Sequence, residues 1–90
     1  MDINQLIEIV KNKILREISV ESIEIVDKTF LHKKHKTHQK GKFHIKIVIS
    51  SKELKDLSKI SSNKKIFKIL DDEIKNYIHS IEIILNYFFS

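Results

Sequence analysis

Five side chains in this 90-residue sequence are imidazoles, and four of them fall in one stretch, TFLHKKHKTHQKGKFH, from Thr29 to His44. His32, His35, His38 and His44 share it with five lysines and the only glycine, Gly41, and with no acid. The fifth, His79, stands far along the chain. A neutral imidazole is a borderline donor that suits iron or zinc, and it binds less well as pH falls through the histidine range. His32, His35 and His38, spaced by three, have the makings of an open zinc site. Lys33, Lys34, Lys36 and Lys40 oppose a free dication there, because like charges repel. They favour a metal group that arrives with an anionic partner. The same lysines also suit phosphates, while the commonest role of such a run is a solvated charged loop.

Composition narrows the chemistry. The chain has no cysteine, which excludes a disulfide framework, a thiolate zinc site, a catalytic thiol and an iron–sulfur cluster held by its own thiolates. Seventeen Lys and Arg against 12 Asp and Glu leave a net charge of +5, a balance that favours polyanions or acidic partners. Heavy use of Ile, Lys and Asn without proline points to an AT-rich genome, which inflates every lysine argument. Hydrophobic residues at 41% and charged residues at 32% are ordinary for a folded chain. Residues 1–90 are expected to form a single domain with one modest core. No apolar run approaches the roughly 20 residues of a membrane span, and MDINQLIEIV carries acids early, unlike a secretory signal. The expectation is a soluble intracellular protein without a membrane partner, a monomer alone or a weak homodimer. Asp71, Asp72 and Glu73 read as helix acids bridging to Lys68 and Lys75. With no Ser/His/Asp order, no P-loop and no HExxH, the chain reads as a non-enzyme.

The elements that must position the histidines follow from periodicity. Ile3, Leu6, Ile7, Val10, Ile14 and Ile18 predict an amphipathic helix, with Asp2 as N-cap and Arg16 in its last turn. Val20 to Thr29 is β-rich. From Lys42 the period is two, with Phe43, Ile45, Ile47 and Ile49 on one side and His44, Lys46, Val48 and Ser50 on the other. The His/Lys stretch therefore joins two strands of a long hairpin, and His44 reads as a packing residue on a strand face. Ser50-Ser51-Lys52-Glu53 reads as a capping box opening a short helix to Leu57. Ser61-Ser62-Asn63 offers caps for a long helix with Ile66, Phe67, Leu70, Ile74, Tyr77 and Ile78 on one face. His79 to Leu85 is a third strand. The order αββααβ predicts an α+β two-layer sandwich, a three-stranded mixed sheet with helices on one face. The long helix is the right length for a parallel crossover.

These elements carry a resemblance to the BolA family of small KH-like (class II) domains. It runs from Val26-Asp27-Lys28-Thr29 and His32, through His44-Ile45-Lys46-Ile47-Val48-Ile49-Ser50-Ser51, to Leu54, Asp56, Leu57 and Ser58. It continues at Ser62-Asn63-Lys64 and Lys65-Ile66-Phe67, and ends at Asp72-Glu73-Ile74-Lys75 and Ile78-His79-Ser80-Ile81. Two positions depart: the family's turn glycine is Asp56, and its Arg-His-Arg triplet keeps one cation, Lys64. The resemblance implies a BolA-like adaptor that pairs with a monothiol glutaredoxin in iron–sulfur cluster assembly, trafficking or iron regulation. It implies a [2Fe–2S] cluster shared with the glutaredoxin and glutathione, none being bound by the isolated chain. His79 and a loop histidine, His32 or else His35, would be this chain's ligands. The implied location is cytoplasmic, or an organellar matrix after processing. The alternative is a DNA-binding transcriptional regulator using Lys33, Lys34 and Lys36 with Lys64 and Lys65 at a helix start. The Gly-x-x-Gly loop by which KH domains grip single strands is absent from a chain with one glycine.

Overall fold

The computed structural model describes residues 1–29 and 42–86. The order is α1 (Ile3–Glu17), β1 (Ser22–Asp27), β2 (Phe43–Ser50), α2 (Lys52–Lys55), α3 (Lys59–Ile69), α4 (Asp71–Asn76) and β3 (Ile78–Leu85). The sheet order is β1-β2-β3, with β2 antiparallel to β1 and parallel to β3. This is the expected α+β sandwich with a mixed sheet.

Each face follows from its period. In α1, Leu6, Val10 and Ile14 recur every four residues and are fully buried. Asp2 caps the helix by accepting from the Gln5 N–H at 2.8 Å, while the Gln5 amide oxygen accepts from the Asp2 N–H at 3.1 Å. Ile45, Ile47 and Ile49 of β2 meet that stripe, joined by Leu54, Ile66, Leu70 and Ile78. Burying such side chains contributes about 1.5–3 kcal/mol each.

The loop-side helices differ from expectation in three places. The short helix is capped by Ser51, not Ser50: its Oγ accepts from the Leu54 N–H at 3.1 Å, because Ser50 still belongs to β2, paired with Ser22. Helix α3 starts at Lys59 behind Ser58, whose Oγ accepts from the Ser61 N–H at 3.0 Å. Ser62, read as a cap, is buried inside the helix and donates to the Leu54 carbonyl at 3.1 Å. The long helix breaks at Leu70, which ends α3 and starts α4. Phe67, expected on the buried face, is 42% exposed, and Ile78 passes into β3.

Candidate functional site

The first residues of β2 and β3 form one end of the sheet. Between Phe43↔Ile78 and His44↔Ser80 the register shifts, so β3 carries one residue more than β2 across this step. That residue is His79. A bulge in a parallel pair is uncommon, and such insertions tend to re-aim a side chain beside a functional site. It restores the core parity too: Ile78 is buried on one side of the insertion, and Ile81 and Ile83 pack against the core on the other.

His79 is exposed. Its ring centroid lies 4.9 Å from that of His44, with the planes at 60°. His44 is 8% exposed and held on several sides. Its N–H donates to Thr29 Oγ1 at 3.1 Å, its carbonyl accepts from the Lys28 N–H at 2.7 Å, and its Nδ1 lies 2.6 Å from Ser80 Oγ. Thr29 is itself set by its N–H donating to Asp27 Oδ1 at 2.9 Å. A hollow of about 370 Å³ opens beside His44, its lining including Lys28, His44, Lys46, Ser80 and Glu82 but not His79.

Of the residues singled out from sequence, His79 thus has an exposed ring at the sheet end where the β1–β2 connection leaves at Thr29 and returns at Lys42. His32, His35 and His38 and Lys33, Lys34, Lys36 and Lys40 lie outside the described residues. His44 fits the strand-face reading in being buried, but its contact with His79 was not foreseen. Among the described residues, no three His, Asp or Glu side chains converge as a metal site.

Lys64 and Lys65 lie in the middle of α3 rather than at a helix start, because the helix begins five residues before Lys64. Lys64 is exposed. Lys65 Nζ bridges to Glu53 Oε2 at 2.8 Å. That ammonium, with the Ser19 N–H, holds the Glu53 carboxyl below its ordinary value. In the acid cluster, Asp71 pairs with Lys75 at 3.0 Å as expected, which raises the lysine above its ordinary value. Glu73 instead reaches across to Lys13 of α1, at 2.9 and 2.7 Å through its two oxygens.

Fold and site together define a small KH-like α+β domain with a histidine presented at one end of its sheet. The chain matches the family of BolA-like proteins over residues 14–86, and it belongs to that family. It is 28% identical over 83 residues to the DNA-binding transcriptional regulator BolA of Haemophilus influenzae, a match spanning 92% of this chain and 75% of the relative. Its fold is similar to that of the BolA domain of SufE1 from Arabidopsis thaliana, with a TM-score of 0.75 at 21% identity over 89% of this chain and 88% of the other. It is likewise similar to BolA1 from Arabidopsis thaliana, with a TM-score of 0.73 at 17% identity over the same shares. No helix among the described residues is long and apolar enough to cross a membrane.

Proposed function

We infer that this protein is a non-enzymatic, cytoplasmic adaptor that docks on a monothiol glutaredoxin and completes a shared [2Fe–2S] cluster with His79 and a histidine of the β1–β2 connection. The observation that carries this reading is the bulge that sets His79 out of the ladder, exposed and braced by His44. The donor set fits the group. Without cysteine, only imidazoles or carboxylates remain to meet a cluster whose thiolates come from the partner and glutathione. Such a cluster supplies a transferable iron–sulfur unit, and imidazole in place of thiolate raises its potential. The chain's own contribution is to hold His79 in place and to keep its ring accessible.

Covalent geometry favours His32 as the second ligand. It is the third residue after Thr29, so covalent reach keeps its Cα within about 11 Å of the residue that fixes His44. His35 has about twice that reach and stands second. Mixing the chain with glutaredoxin, glutathione, iron and sulfide should give a visible circular-dichroism spectrum of the mixed complex. His79→Ala should lose it while His38→Ala keeps it. An identical spectrum and affinity in His79→Ala would sink this reading.

A second reading, nucleic-acid binding, draws on the similarity to the DNA-binding transcriptional regulator of Haemophilus influenzae and on the chain's charge. Lys33, Lys34, Lys36 and Lys64 would touch phosphates, with Lys65 contributing less because Glu53 already holds it. Affinity for duplex DNA should then fall with salt at a slope of about −0.9 per phosphate contact. A flat salt response would exclude it.

A further inference from the structure

A groove of about 520 Å³ runs between α1 and α3, lined by Lys13, Arg16, Glu17, Lys65, Lys68 and Ile69. The residues on each helix are spaced i, i+3 and i+4, so each set is one helix face. The first two positions of both sets are cations. Four cations therefore line the groove, and like charges repel unless acids or a bound anion offset them.

The four cations are not equivalent. Lys13 is fixed by Glu73 of α4 and Lys65 by Glu53 of α2. Arg16 and Lys68 form no ion pair among the described residues. An arginine fork with a neighbouring ammonium suits a phosphate, the guanidinium binding two oxygens and the lysine adding a point charge. Ile69 and the methylene stems of the lysines give an apolar surface beside that charge. A volume of this size matches a small organic ligand.

The acids decide between a small anion and a polymer. Glu53 and Glu73 pair with the outer lysines, and Glu17 lines the groove itself. Among the residues lining the groove, the cations without an ion pair are thus Arg16 and Lys68. A polynucleotide would have to pass Glu53 and Glu73 as well, whereas a single phosphate between Arg16 and Lys68 meets only Glu17. We propose that the α1–α3 groove binds a small organic phosphate, with Arg16 and Lys68 on the phosphate and Ile69 against the organic part. This site is independent of His79 and of the cluster reading.

The test is titration of the full chain, followed by amide NMR, with adenosine monophosphate, inorganic phosphate and a short DNA duplex. Adenosine monophosphate should saturate with a dissociation constant at or below about 1 mM, shifting amides around Arg16 and Lys68. It should bind more tightly than inorganic phosphate. The double substitution Arg16→Ala with Lys68→Ala should weaken it about tenfold or more at an unchanged melting temperature, since both side chains are exposed and unpaired among the described residues. Ile69→Ser should bring the nucleotide's affinity down towards that of phosphate. No saturable shift, equal affinity for nucleotide and phosphate, undiminished binding by the double variant, or binding of the duplex alone would each overturn the proposal.

Discussion

The histidine end of the sheet and the cation groove of the helical layer gather chemistry in different ways. At the sheet end, backbone does the positioning: a bulge in β3 places His79, and ladder and side-chain hydrogen bonds immobilise His44 beside it. In the groove, regular helical spacing places the side chains, and carboxylates from α2 and α4 fix two of the four. A site made by backbone irregularity is rigid and tolerates little substitution. A site made by side chains on intact helices can lose a residue without losing the fold. Variants at the sheet end should therefore affect both function and stability unless they are fully exposed, and those in the groove should separate the two.

The largest effect is expected from His79→Ala, which removes an exposed ring. The cluster signal with glutaredoxin should vanish while the melting temperature stays within error. His44→Ala comes next. If His79 is the ligand proposed above, loss of the residue bracing it should weaken cluster-complex formation about 10–100-fold. Burial at 8% exposure also makes it destabilising by about 1–3 kcal/mol. Cluster titration paired with urea unfolding checks both. Wild-type cluster affinity in this variant would reduce the sheet end to one residue and show that it tolerates substitution as the groove does. Lys13→Met should leave the cluster signal intact but strand a nearly buried carboxylate, Glu73, at a cost of about 1–3 kcal/mol read by urea unfolding.

The smallest effect concerns pH. Glu53 is held below its ordinary value of 4.5 by Lys65 and the Ser19 N–H. Its charged form therefore favours the fold above that value, and the contribution is lost as pH falls through the lowered value. The difference in melting temperature between wild type and Glu53→Gln should be greatest near neutrality and shrink as pH drops below about 4. A constant difference across that range would show that the bridge adds nothing, which is common for exposed pairs.

The sequence made some of this legible and hid the rest for identifiable reasons. Strict alternation in β2 and four-residue recurrence in α1 survive in the fold because one face of each is buried. The parallel pairing of β2 and β3 followed from the long helical crossover. The break at Leu70 was hidden, since Leu70 continues the apolar stripe of α3. Asp71, Asp72 and Glu73 were the missed signal, because three successive acids suit the first turn of a new helix. The pairing of His44 with His79 was out of reach of periodicity. It depends on an extra residue in β3, whose one trace in the strand's own pattern is the step of three from Ile78 to Ile81 where alternation would give two.

β2 is the middle strand, made before its parallel neighbour β3, and residues 51–77 lie between them. Pairing with β1 closes a shorter chain segment than pairing with β3, so the hairpin has the lower entropic barrier. During synthesis His44 can be in place while His79 is still inside the ribosome. The two imidazoles meet only when the last strand docks, so the ring pair at the sheet end is the last part of the fold to be assembled.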